Sequence, residues 1–168
     1  MIDATLVMLA SEIRGKTLRV LDIVTEEQAR FTGHPSLNNS ILWHAGHCLV
    51  VVERLCVVPA LGTGQVAAYP AGWYETFGAG SQPATVTAWP TLAEVIALLK
   101  DQLERLLAVV ATLHHERMDQ VIDAANNRTL RYSILHGLHD EAQHQGEMQL
   151  LKKLWAKRGS GVVASATM

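Results

Sequence analysis

Three polar residues recur at intervals of four near the C-terminal end of the chain, where an apolar stripe is expected. His136, Asp140 and His144 fall on one face of a helix with about 3.6 residues per turn. The same line continues into three apolar residues, Met148, Leu151 and Trp155. Burial of a carboxylate among apolar side chains is costly unless the charge is paired or bound to a cation. The spacing therefore favours a metal site on this helix.

A second pair of histidines, His44 and His47, lies in an otherwise apolar segment. Helix bundles commonly build metal sites from side chains on facing helices. One imidazole from this segment and an i, i+4 pair that includes Asp140 would give a cation two histidines and one carboxylate, which suits several divalent metals. Three protein ligands leave a position open for water or substrate, as in catalytic sites. Periodicity alone does not decide between His44 and His47.

The competing hypothesis treats these histidines as hydrogen-bonded core residues of a non-catalytic bundle that dimerises or binds a partner. It must explain why polar residues align with an apolar stripe. His139 is predicted to lie on the flank of the helix, either behind a ligand or at the surface. Glu141 is predicted either to support the ligands or act as a general base, or to lie at the surface. The remaining three histidines are predicted to be structural: His34, His114 and His115.

Four segments have the apolar periodicity of amphipathic helices, and they predict an all-α four-helix bundle. The predicted helices cover residues of about 2–30, 37–58, 91–116 and 129–157. Ser36 or Asn38 is expected to cap the second helix and Pro59 to end it. Thr91 and Glu94 form a capping box for the third. Residues 1–158 are predicted to form one domain, and residues 159–168 a flexible tail that follows a capping Gly159.

A long loop, residues 59–90, connects the second and third helices and holds four of the five prolines. Long ordered loops in compact domains are often lids or binding loops. Four of the loop's aromatic residues are predicted either to wall a substrate pocket or to seal one end of the core: Trp73, Tyr74, Phe77 and Trp89.

Composition excludes several classes of protein. Of the 168 residues, 49% are hydrophobic and 18% are charged, which is the composition of a globular protein. The net charge of -2 is not the basic balance expected of a nucleic-acid binder.

Cys48 and Cys56 are two helical turns apart, too far for a disulfide on one helix, and are predicted to be buried thiols. No secretory signal or membrane span is expected, so the predicted location is the cytoplasm. An apolar bundle face favours a homodimer.

Three motifs occur in a characteristic order: NSILWHAGH (residues 39–47), GWYETFG (72–78) and TLRY followed by DEAQHQGE (129–132 and 140–147). In this combination the chain resembles the DinB/YfiT-like metalloenzymes, a bacterial superfamily of four-helix bundles. The resemblance covers nearly the whole chain, from the first helix through Lys157.

The resemblance implies one metal-binding histidine on the second helix, which matches His47, and two ligand positions on the fourth. The second of these matches His144, and the first matches Asp140, where the commonest family residue is histidine. His44 and His136 are reserve ligands. A carboxylate ligates Zn²⁺ or Ni²⁺ at a similar reach. The family further implies hydrolase-like or thiol-transferase chemistry on a small-molecule substrate, with a low-molecular-weight thiol such as bacillithiol or mycothiol as co-substrate in some members.

Overall fold

Four long helices form a bundle in the computed structural model, which describes residues 3–34, 37–62 and 64–158. The predicted tail and its capping Gly159 lie outside the described residues. The helices, in chain order, are α1 (Ala4–Leu21), α2 (Glu26–Ala29), α3 (Ile41–Val52), α4 (Val58–Leu61), α5 (Trp73–Phe77), α6 (Leu92–Val110), α7 (His115–Met118) and α8 (Leu130–Arg158). The long helices α1 and α3 each pack against α6 and α8. The all-α bundle predicted from the sequence is confirmed.

The second long helix differs from its prediction at both ends. Ser40 caps α3, since its hydroxyl oxygen accepts a hydrogen bond from the Trp43 N–H. Pro59 does not end the helix, because a π-helical turn (Glu53–Val57) joins α3 to α4 and Pro59 lies in the first turn of α4. Pro59 has no N–H to donate, and the carbonyl four residues earlier, that of Leu55, instead accepts a hydrogen bond from the Ser133 hydroxyl at 2.7 Å.

Two other helix boundaries and one connection also differ from the sequence prediction. α1 ends at Leu21, and the segment predicted to continue it forms the separate capped helix α2. α6 ends at Val110, so His114 and His115 begin α7 and do not close the third helix. The connection before α8 contains an antiparallel hairpin of β1 (Val121–Asp123) and β2 (Arg128–Thr129). The capping box of Thr91 and Glu94 is confirmed.

The loop between α4 and α6 is packed onto the bundle. It contains α5 and a 3₁₀ turn (Pro83–Thr85), and Trp73 and Phe77 of α5 are buried. The Trp43 indole N–H, at the start of α3, donates to the Thr76 carbonyl at 3.2 Å and to the Ser81 hydroxyl at 3.0 Å. These contacts hold α5 against the end of α3 that carries the histidines.

The bundle core consists of two apolar clusters with polar side chains between them. On α1, Leu6 and Ala10 belong to one cluster and Val20 to the other, with Arg14 and Thr17 between them. On α8, Leu138 and Met148 belong to different clusters, and the residues between them include Asp140, Glu141 and His144. A polar layer therefore crosses the middle of the bundle.

The helical stretch Ile41–Leu61 is long and apolar enough to cross a membrane, with a mean hydropathy of 1.6 over its most apolar window. However, 78% of that window is buried inside the protein. The apolar surface of this stretch is therefore used in the bundle core, and both predicted buried thiols, Cys48 and Cys56, lie within it as free cysteines.

Candidate metal centre

His47 is held in one orientation by the loop that covers α3. Its Nδ1 forms a hydrogen bond with the backbone carbonyl oxygen of Phe77. A carbonyl oxygen only accepts, so Nδ1 carries a proton and Nε2 is the ring nitrogen left to face a ligand. Histidine ligands in metalloproteins usually have this second contact, which orients the ring. The His47 ring also stacks on Trp43, with ring centroids 4.7 Å apart.

Gly46 makes this contact possible. A Cβ atom on Gly46 would lie 2.3 Å from the ring of Phe77, well inside van der Waals contact. The absence of a side chain at this position thus lets α5 approach α3 closely enough for the Phe77 carbonyl to reach His47. The glycine in the WHAGH motif is explained by packing at the site.

Asp140 and His144 face His47 from α8, one turn apart. The Nε2 atoms of His47 and His144 each lie 3.6 Å from Asp140 Oδ2. This distance is too long for a hydrogen bond. It agrees with the separation of about 3.3–3.6 Å between two ligand atoms that share a tetrahedral ion at zinc–ligand distances. One ligand atom from each of the three residues lies within 4.8 Å of the others.

The Asp140 carboxylate lacks the partner that its burial requires. Oδ2 is the one buried side-chain nitrogen or oxygen without a hydrogen bond among residues 3–34, 37–62 and 64–158. Burial alone would raise the pKa of Asp140, but His47, His144 and His136 lower it below its ordinary value. The carboxylate is therefore ionised at neutral pH. A buried anionic oxygen beside two imidazole nitrogens could hold a metal ion.

His44 and Glu147 lie behind His144 and form a second cluster with it. His44 Nδ1 is 2.8 Å from His144 Nδ1, and His44 Nε2 is 3.1 Å from Glu147 Oε2. Burial, together with His144 and His47, lowers the pKa of His44 to about 3, so its ring is neutral at physiological pH. Burial, with His47, also lowers the pKa of His144. The sequence prediction omitted Glu147, although its position three residues after His144 puts both on one helix face.

The other candidate residues lie away from both clusters. His136 is exposed and stacks on Tyr132, with ring centroids 5.8 Å apart. His139 is also exposed. Glu141 is fully buried on another side of α8, so the predicted surface position is wrong, and its contacts leave no role as a base: Arg14 Nε and Nη2 and the Thr17 hydroxyl donate to its carboxylate.

Arg14 connects Glu141 to a network that crosses the bundle. It also donates to the Leu99 carbonyl and to Gln102 Oε1, and the Gln102 amide in turn donates to Glu53 Oε2 at 2.7 Å. Arg105 pairs with Glu53 at 2.9 Å. This network was not predicted from the sequence. Its signal was an arginine four residues after Ala10, on the apolar face of α1.

The surface around the cluster is partly open. The side chains of Asp140 and His144 are 24% and 16% exposed. A cavity of about 350 Å³ lies beside His44 and Glu147, and another of about 360 Å³ lies against Trp73 and Phe77 of α5. A ligand could therefore approach the cluster from the surface.

The sequence profile of the DinB superfamily matches residues 10–148. This chain belongs to the DinB superfamily. The family resemblance seen in the sequence motifs is thus confirmed, and the match includes every residue of the candidate metal centre.

A solved structure resembles this DinB-superfamily chain along almost its whole length. It is the crystal structure of a conserved protein from Enterococcus faecalis, with a TM-score of 0.64 and 16% sequence identity. The match covers 94% of this chain and 99% of that one. At this identity the likeness shows the fold alone. No curated protein matches the chain significantly.

Proposed function

We propose that this DinB-superfamily protein is a metal-dependent enzyme in which His47, Asp140 and His144 bind one divalent cation, Zn²⁺ or Ni²⁺. The observation that carries the proposal is the buried Asp140 Oδ2, which has no hydrogen bond and lies 3.6 Å from two imidazole nitrogens. A cation satisfies the carboxylate and both lone pairs at once.

The proposed reaction is hydrolysis of a small-molecule substrate or transfer of a low-molecular-weight thiol to one. His47, Asp140 and His144 would hold the cation with a coordination position left open, where it would lower the pKa of a bound water or thiol and so supply a nucleophile. Asp140 contributes a negative charge that partly balances the cation. The Phe77 carbonyl keeps His47 in the tautomer that presents Nε2. The partial exposure of Asp140 and His144 leaves a side from which substrate enters.

Elemental analysis of protein purified without a histidine tag tests the metal site directly. We expect about one divalent ion per chain, as for a single three-ligand site. His47→Ala and His144→Ala should both lose the ion. His139→Gln is the matched control, because His139 is an exposed histidine on α8 outside both clusters. Wild-type protein that binds neither Zn²⁺ nor Ni²⁺ after reconstitution would exclude the site and favour the non-catalytic bundle.

Thermal and urea unfolding give a second test. Added Zn²⁺ at 100 times its Kd should stabilise the folded protein by about 2.7 kcal/mol relative to protein in chelator at pH 7.5.

The two proposed reaction types can be distinguished by whether turnover requires a thiol co-substrate. Turnover of chromogenic esters without thiol indicates a hydrolase, whereas turnover of an electrophile that requires added thiol indicates a transferase.

A further inference from the structure

The two ring nitrogens of His144 have different surroundings. Nε2 faces Asp140 Oδ2 at 3.6 Å, without a hydrogen bond. Nδ1 lies 2.8 Å from His44 Nδ1, the length of a good hydrogen bond, in which one nitrogen must donate and the other accept. Which nitrogen carries the proton decides whether His144 presents a lone pair to the candidate metal centre.

Glu147 decides the direction of that hydrogen bond. Glu147 Oε2 lies 3.1 Å from His44 Nε2, and a carboxylate oxygen at this distance favours a proton on Nε2. A neutral imidazole has one N–H, so His44 Nδ1 is then an acceptor. The proton between the two rings therefore belongs to His144 Nδ1, and the lone pair of His144 Nε2 faces Asp140.

We infer that His44 and Glu147 are positioning residues: Glu147 sets the tautomer of His44, and His44 sets the tautomer and ring orientation of His144. His44 is thus a support for a ligand and not itself a ligand. The expected effect of these residues on metal affinity rests on the proposed function. The tautomer of His144 does not, because it can be measured in the metal-free protein.

The geometry favours this role over a second metal ion at His44, His144 and Glu147. The two Nδ1 atoms, 2.8 Å apart, cannot both bind one tetrahedral ion, for which roughly 3.3 Å is expected between two nitrogens, so their contact is that of a hydrogen bond. The side chain of His44 is 3% exposed, whereas that of Glu147 is 57% exposed. The contacts thus run from the exposed Glu147 carboxylate to the buried His44 ring, and a hydrogen bond joins that ring to His144, the proposed ligand.

The ring of His47 is oriented in a similar way, by a backbone carbonyl instead of a second imidazole. The Phe77 carbonyl accepts a hydrogen bond from His47 Nδ1, as His44 Nδ1 accepts one from His144 Nδ1. Both rings then present Nε2 lone pairs to one carboxylate oxygen. A support of this kind is usual for metal-bound histidines, and its loss typically costs 10–100-fold in affinity.

Two substitutions at His44 separate its hydrogen bond from its packing. His44→Phe keeps a ring in the buried site but removes the acceptor. His44→Asn places an amide near the position of Nδ1, where its oxygen can still accept. Glu147→Ala removes the exposed carboxylate, and His139→Gln is again the control on the same helix. Long-range ¹H–¹⁵N NMR of the metal-free proteins reports which nitrogen of His144 is protonated, and competition titration with Zn²⁺ reports affinity.

We expect the Nδ1–H tautomer of His144 in wild type, His44→Asn and the control, and a shift toward Nε2–H or a mixture in His44→Phe. Zn²⁺ affinity should fall by about 10–100-fold in His44→Phe and by less in Glu147→Ala, and His44→Asn should recover most of it. An Nε2–H tautomer in wild type would overturn the inference. So would two ions per chain, with one lost in both His44 variants and in Glu147→Ala. If wild type binds no metal, the proposed function fails, and the NMR tautomer alone decides this inference.

Discussion

Asp140 and Glu141 are neighbours on α8, yet the bundle treats their carboxylates in opposite ways. Glu141 accepts hydrogen bonds from Arg14 Nε at 2.7 Å, Arg14 Nη2 at 2.9 Å and Thr17 Oγ1 at 2.7 Å. Asp140 Oδ2 accepts none and faces two imidazole nitrogens at 3.6 Å. One side of the polar layer is complete within the chain, whereas the other lacks a positive charge.

This difference distinguishes a buried carboxylate whose partners lie within the fold from one that could bind a ligand. Burial alone would lower the pKa of Arg14, but Glu141 raises it above its ordinary value, so the pair stays charged. Removing one member of such a buried pair leaves an uncompensated charge. Around Asp140, the cation of the proposed function would supply that compensation.

The largest effect is expected on the complete side. Arg14→Met should lower the free energy of unfolding by about 3–5 kcal/mol, because Glu141 would remain buried without its partner. Urea unfolding followed by circular dichroism measures the change. The double variant Arg14→Met/Glu141→Leu should recover much of it. A loss below about 1 kcal/mol for Arg14→Met would show that the pair is not needed to satisfy Glu141.

Gly46→Ala tests how closely α5 packs against α3 beside the candidate metal centre. Its added Cβ would overlap the Phe77 ring, so we expect a loss of about 1–3 kcal/mol and weaker Zn²⁺ binding as the Phe77 carbonyl moves away from His47. Gly15→Ala on α1 is the matched control, since its added Cβ meets only the end of the Arg19 side chain, at 3.4 Å. It should stabilise the helix by about 0.5–1 kcal/mol. Equal effects of both substitutions would contradict the close approach at Gly46.

The metal-free protein should lose stability as the pH falls from 6.5 to 5.0. The pKa of His44, about 3 in the folded state, lies below the ordinary 6.5 of the unfolded chain, and that of His144 is also lowered. The unfolded state then binds more protons, at a cost of up to about 1.4 kcal/mol per pH unit for each histidine. Urea unfolding in chelator should show this slope, and His44→Phe should reduce it. An unchanged slope in that variant would exclude His44 as a source.

The smallest change in stability is expected at Asp140. Asp140→Asn should alter the metal-free protein by no more than about 1 kcal/mol, because Oδ2 has no hydrogen bond to lose. Glu141→Gln, the matched change one residue along, should cost more because it breaks a buried ion pair. Asp140→Asn should nevertheless abolish stabilisation by Zn²⁺. Full retention of that stabilisation would remove Asp140 from the ligand set.

Local periodicity was enough to predict much of the site. The spacing of four placed Asp140 and His144 on one face of α8, because helix geometry is set by neighbouring residues. The choice of His47 from the second helix rested on the family resemblance, since His44 and His47 are both buried. Only the folded chain shows that the Phe77 carbonyl contacts His47 and that His44 contacts His144.

Pairings across the bundle could not be predicted from one helix at a time. Glu141 contacts Arg14 only for one relative rotation of α1 and α8, which depends on packing along both helices. The boundary after α3 was wrong for a similar reason. A proline normally marks a helix end, but here the helix continues through a π-helical turn, and the Ser133 hydroxyl of α8 donates to the Leu55 carbonyl four residues before Pro59.

That π-helical turn also sets the phase between two halves of one helical rod. A π turn amounts to one extra residue, which rotates the following segment by about 100° relative to an uninterrupted helix. Before the turn, His44 and His47 face α8. After it, Cys56 lies so close to α8 that a Cβ on Gly137 would be 2.6 Å from its sulfur. Deleting one residue within Glu53–Val57 would bring only one of these two surfaces onto α8. The π-helical turn therefore allows both the polar residues His44 and His47 and the closely packed Cys56 to face the same helix, α8.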